Sequence, residues 1–88
     1  MLIKGLETPD TWPARALEFL RKHRRYFTNL DVQNWGSGAA EAAAWPLRTW
    51  EIRRCWAPAF AAKCLKIWKR EGAVARTTRG RREWVVMQ

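Results

Sequence analysis

PAFAAKCLKIWKRE, residues 58–71, is followed by Gly72 and then by AVARTTRGRREWVVM, residues 73–87. Placed at 100° per residue from Lys63, the residues Phe60, Ala61, Cys64, Leu65, Ile67 and Trp68 fill one arc, from about 40° to 200°. Ala59, Ala62, Lys63, Lys66, Lys69 and Arg70 fill the other. Pro58 suits a first helical turn, where a missing N–H costs nothing, and Gly72 suits a C-terminal stop. The spacing therefore predicts a helix over 58–71 with one face for a core. Its other face carries cations and small residues, with no acid before Glu71. A merely solvated helix mixes both signs of charge to gain i,i+4 pairs, so this is a candidate binding face.

Beyond Gly72 the period changes. Residues 74–79 and 82–87 are rich in β-branched or aromatic side chains, with Gly80 between them as turn former. This predicts a hairpin over about 73–87, with Arg79, Gly80, Arg81 and Arg82 at its tip. Alternation puts Trp84 and Val86 on one side of the second strand, and Val85 and Met87 on the other.

Upstream, Pro46 reads as the start of a short helix over 46–55, with Leu47, Trp50 and Arg54 on neighbouring positions of one face. Residues 39–45, AAEAAAW, have high helix propensity and no clear amphipathic pattern. Gly36-Ser37-Gly38 is read as a turn that ends a short helix over 28–35. That helix opens on Thr28 with Asp31 three residues later, a capping-box spacing, and Phe27 stands before it as a staple. A first helix is expected over 11–24, capped by Asp10 or Thr11, with Pro13 in its first turn. Trp12, Ala16, Leu17, Phe19 and Leu20 form its apolar arc, and His23 falls on that side as a packing residue. Residues 1–10 read as an arm or short edge strand.

Eighty-eight residues suit one small domain, and 48% apolar composition with seven tryptophans argues for a compact fold rather than a disordered chain. The net charge is +9, and eleven of the 17 cations lie in residues 48–88 against three of the eight acids. Such an imbalance attracts polyanions and excludes a mimic of DNA. Two cysteines and one histidine are too few for a structural zinc site. No paired carboxylates or Cys-His spacing suggest catalysis, so no enzyme and no cofactor are expected. No apolar run approaches the roughly 20 residues of a membrane span, and MLIKGLETPD has no secretory character. A cytoplasmic protein with reduced thiols is expected.

The order of helices, then a basic amphipathic helix, then a basic hairpin resembles the winged helix-turn-helix family of DNA-binding domains. The resemblance rests on Phe27-Thr28 with Asp31-Val32, on Cys64 through Val74, and on Arg76 through Trp84. It covers residues 11–87, and 58–87 match best. The family implies a recognition helix at 58–71, with Lys63, Lys66, Lys69 and Arg70 facing duplex DNA. It implies a wing in which Arg76, Arg79, Arg81 and Arg82 meet the backbone or minor groove. Arg53 and Arg54, and Arg21, Arg24 or Arg25, would add phosphate contacts. Residues 35–57 separate the second helix from the candidate recognition helix, far more than a plain turn. Either an extra helix is inserted there or the recognition helix lies elsewhere.

Small proteins of this kind are common in phages and mobile elements, where a regulator is the expected role. The rival is a protein-binding inhibitor or adaptor on the same scaffold, such as a phage-encoded anti-CRISPR gripping a host protein. Most tryptophans are expected in the core. Trp45, Trp50 and Trp56 are hard to bury together, which leaves one or more for a partner or for single-stranded bases. A homodimer would use the Trp-rich stretch 45–56.

Overall fold

The computed structural model describes residues 8–78 and 82–87. It contains α1 (Trp12–His23), β1 (Tyr26–Thr28), α2 (Asn29–Ala42), a single turn α3 (Thr49–Glu51), a π-helical turn (Ile52–Trp56), α4 (Ala57–Glu71), β2 (Val74–Arg76) and β3 (Glu83–Val86). The three strands form one antiparallel sheet in the order β1-β3-β2. The fold is mainly α with a C-terminal hairpin, winged-helix-like in its element order.

α1 keeps the expected start, with Thr11 at the cap position and Pro13 in the first turn, although the Thr11 side chain makes no capping bond. Trp12, Ala16 and Leu20 are buried and Leu17 is half-buried. Phe19 and His23 depart from the expected apolar face. Both are exposed, and their rings lie against each other with centroids 4.7 Å apart. Phe19 borders an open groove between α1 and α2, with Leu20, Asn34 and Trp35, instead of packing inward.

β1 stands where a staple was expected. Phe27 pairs with Trp84 across the ladder and buries its ring edge-on to Trp68, at 6.0 Å and 83°. The Val86 N–H, donating to the Arg25 carbonyl at 2.9 Å, extends the junction. The capping box of α2 forms as its spacing implied: Asp31 accepts from the Thr28 N–H at 2.8 Å, and Thr28 Oγ1 accepts from the Asp31 N–H. Arg24 binds the same carboxylate at 2.7 Å.

The turn expected at Gly36-Ser37-Gly38 is absent, and α2 continues through it to Ala42. Gly36 is buried together with Val32 and Ala40, at i, i+4 and i+8 on one face. A Cβ at Gly36 would stand 2.5 Å from Cδ2 of Phe60 and 3.2 Å from Cζ3 of Trp56. The glycine lets α2 approach α4 closely, and the alanines after it sustain the helix. Beyond the end of α2 at Ala42, Ala44 stands in the left-handed region at φ 52°, with the Trp45 N–H returning to the Ala40 carbonyl at 2.9 Å.

Residues 43–48 make the break between α2 and the rod that follows. Pro46 lies in this connection and opens no helix. Helical turns begin at Thr49, after the Glu51 carboxylate has accepted the Arg48 N–H at 2.9 Å. The helices expected over 46–55 and 58–71 are therefore one rod, 49–71. Pro58 lies inside it, where it supplies no N–H and its ring crowds a preceding carbonyl. The π turn accommodates it: the Ala57 N–H reaches back five residues to the Ile52 carbonyl, widening the helix just before the proline. The long gap of 35–57 thus shrinks to a six-residue connection.

α4 ends as expected at Gly72, φ 70°, where the Ala73 N–H bonds the Trp68 carbonyl at 2.9 Å. In the hairpin, Arg76 pairs with Trp84 and Val74 with Val86, and Trp84 and Val86 turn inward. The core between these layers is aromatic. Trp12 packs on Trp45 and Trp56, Trp56 stacks on Phe60 at 5.0 Å and 8°, and Trp35 covers the far face of the pair. Trp68 Nε1 donates to the Pro13 carbonyl at 3.1 Å, tying α4 to the first turn of α1.

Candidate nucleic-acid interface

α4 presents the two faces that its periodicity implied. Phe60, Ala61, Cys64 and Trp68 are buried, while Ala59, Ala62, Lys63, Lys66, Lys69 and Arg70 are exposed. Lys63, Lys66 and Arg70 follow one another up a single side of the helix, and Ala59 below them adds no bulk. From Ala59 to Arg70 the stripe is roughly 16 Å long. A major groove is about 12 Å wide and admits such a helix. None of Lys63, Lys66, Lys69 and Arg70 has a carboxylate within 4.0 Å among the described residues. The nearby acids lie elsewhere: Glu71 lines a shallow groove with Asp10 and Glu18, between α1 and the end of α4.

Trp84 joins this face to the hairpin. The Arg76 guanidinium stands 4.9 Å from the centre of its ring and the Lys69 ammonium 5.8 Å. One buried indole is thus approached by a cation from α4 and a cation from β2. The sequence reading placed Trp84 with Val86 on one side of the strand, without choosing which side packs inward, and missed this role. Only the coincidence of Lys69 with the hairpin register brings the three together. Arg82 is exposed just before β3, while Arg79 and Arg81 lie outside the described residues.

Arg53 and Arg54 are exposed on the π turn, upstream of the α4 stripe on the same rod. Arg53 lies 3.9 Å from Glu41 of α2. The further arginines named from the sequence are drawn into local bonds. Arg21 bonds Glu18 at 2.6 Å, Arg24 bonds Asp31, and Arg25 Nε donates to the Val86 carbonyl at 3.3 Å.

Comparison of the chain with known protein families, curated proteins and solved structures finds no match.

Among the described residues, no three His, Cys, Asp or Glu side chains stand close enough to hold a metal ion, and no helix is long and apolar enough to cross a membrane. Of the two thiols, Cys55 is exposed and Cys64 is buried. Burial pushes the Cys64 thiol up to about 12, with Lys63 pulling weakly the other way. It is a protonated packing group under ordinary conditions.

Proposed function

We propose that this protein binds nucleic acid, duplex DNA in the first place, through the exposed side of α4 and the adjoining hairpin. The observation that carries the reading is the acid-free stripe of Lys63, Lys66 and Arg70, continued onto the hairpin by Lys69 and Arg76 over Trp84. At Lys63, Lys66 and Arg70, which have no carboxylate within 4.0 Å among the described residues, a polyanion gains charge-assisted hydrogen bonds without displacing one. Ala59 and Ala62 let the helix backbone approach a groove wall. The lysines supply affinity that depends on salt and not on sequence, and Arg70 can hold a phosphate or read a guanine edge.

The test is fluorescence anisotropy with duplex DNA, single-stranded DNA and RNA across a salt series. The variants are K63A/K66A/R70A and R79A/R81A/R82A. Removing one cation that neutralises a phosphate is expected to lower the slope of log affinity against log salt by about 0.9 for duplex DNA. Both triple variants should therefore bind more weakly and with a shallower slope. A folded wild-type protein that binds no nucleic acid at low salt would refute the reading and assign the cationic face to an acidic protein surface.

A further inference from the structure

Seven tryptophans are present, and the described structure packs six of them. Trp12, Trp56, Trp68 and Trp84 are buried, while Trp35 and Trp45 are half-buried against the core. Trp50 stands apart, 57% exposed on the first turn of the 49–71 rod. Its surroundings are cationic. Arg53 and Arg54 follow at i+3 and i+4, one turn on, with Arg53 3.9 Å from Glu41 of α2 in a loose exposed pair, and Arg48 precedes Trp50. All three are exposed. The one acid within the turn, Glu51, is half-buried with its carboxylate on the Arg48 N–H.

We infer that Trp50 is a stacking platform for an unpaired nucleobase, with Arg53 and Arg54 holding the phosphates beside it. The inference rests on the nucleic-acid reading of α4 and deepens it: the preferred ligand is a duplex that continues into a single strand. A protein partner would need a patch of about 800 Å² on this side, with an apolar centre. The apolar neighbours Trp45 and Leu47 are already packed against the core, which leaves one ring among guanidinium groups. One flat ring beside cations matches the needs of one unpaired nucleotide, which offers a π-face and a phosphate within a helical turn of each other. The bases inside an intact duplex are stacked on both sides and have no face to offer. Because Trp50 and the α4 stripe belong to one unbroken rod, a duplex on α4 and a strand on Trp50 are bound by one rigid element.

The experiment compares a blunt duplex with the same duplex carrying a single-stranded thymidine tail at either end, using wild type, W50A, W50F, R53A/R54A and K63A/K66A/R70A. Wild type should prefer one tailed duplex. Removal of the ring in W50A should weaken tailed binding by about 5- to 160-fold, the range of one base–aromatic stack, with blunt-duplex affinity unchanged. W50F should keep most of the preference, because a phenyl ring also stacks, and R53A/R54A should lose part of it. K63A/K66A/R70A should weaken both ligands alike. Equal wild-type affinity for blunt and tailed duplexes would overturn the inference while leaving duplex binding intact. So would a W50A defect equal on both ligands, or a dimer in sedimentation that W50A dissociates. Failure of wild type to bind either ligand would instead remove the reading beneath it.

Discussion

Replacing Gly36 by alanine measures how closely α2 and α4 approach. The added methyl would stand 2.5 and 2.9 Å from two carbons of the Phe60 ring and 3.2 Å from Trp56. Neither ring can withdraw easily: both are 1% exposed and stacked on each other, and Trp35 lies on the outer face of Phe60. Overpacking a filled core costs about 1–3 kcal/mol, and a site this constrained belongs near 3. Alanine returns about 1 kcal/mol through its better helix propensity. The net loss is about 2 kcal/mol, which for a domain of this size lowers Tm by about 8–16 °C. Gly38 is the internal control, in the same helix two residues on, with nothing within 4 Å of its Cβ position. Gly38→Ala should gain the propensity term alone and raise Tm by about 4–8 °C. Thermal melts followed by far-UV circular dichroism, together with urea titrations, give both numbers. Equal shifts in the two variants would refute the close approach. Destabilisation by Gly38→Ala would mean that residues 36–38 form a turn after all.

Ala44, held at φ 52° where glycine is the usual residue, carries backbone strain, so Ala44→Gly should raise stability by about 1 kcal/mol in urea titration. Trp68→Phe removes the bond to the Pro13 carbonyl along with part of the indole, and should cost about 2–4 kcal/mol in the same assay. A thiol reagent at neutral pH should modify Cys55 in the native protein and reach Cys64 only after denaturation. The buried thiol also makes stability depend on pH. Below 9.0 it is protonated in both states, and between 9.0 and about 12 only the unfolded chain ionises. Stability contributed by Cys64 is therefore complete below 9.0 and lost as pH rises through that window. Urea midpoints on either side of 9.0 should fall more steeply for wild type than for Cys64→Ala.

What could be read from the residues was what they decide locally. The two faces of α4, the αL stop at Gly72, the Thr28–Asp31 box and the alternation that puts Trp84 and Val86 on one side of β3 each depend on spacing within one element. Gly36-Ser37-Gly38 misled because its local signal is a turn, while its role is set by Phe60, far along the chain. β1 is three residues long and exists only because β3 supplies its partner. Pro58 argued for a helix start, and the π turn that lets a helix run through it has no mark of its own in the sequence. Among the candidate site residues, Lys63, Lys66, Lys69 and Arg70 lie on the face that the helical wheel assigned. The approach of Lys69 and Arg76 to Trp84 depends on two elements meeting, which no pattern within either could reveal.

The π turn at residues 52–56 has a bearing on everything upstream of it. A helix with one residue too many per turn is a helix whose two halves are out of phase, so the five residues before Ala57 act as an angular offset between them. Regularising it to a plain α-helix with every residue kept would swing the preceding turn by up to about 100° about the common axis while α4 kept its seat. Ile52 would leave the core and Trp50 would point in a new direction. That one extra residue sets the compass bearing of Trp50 relative to the cationic stripe of α4.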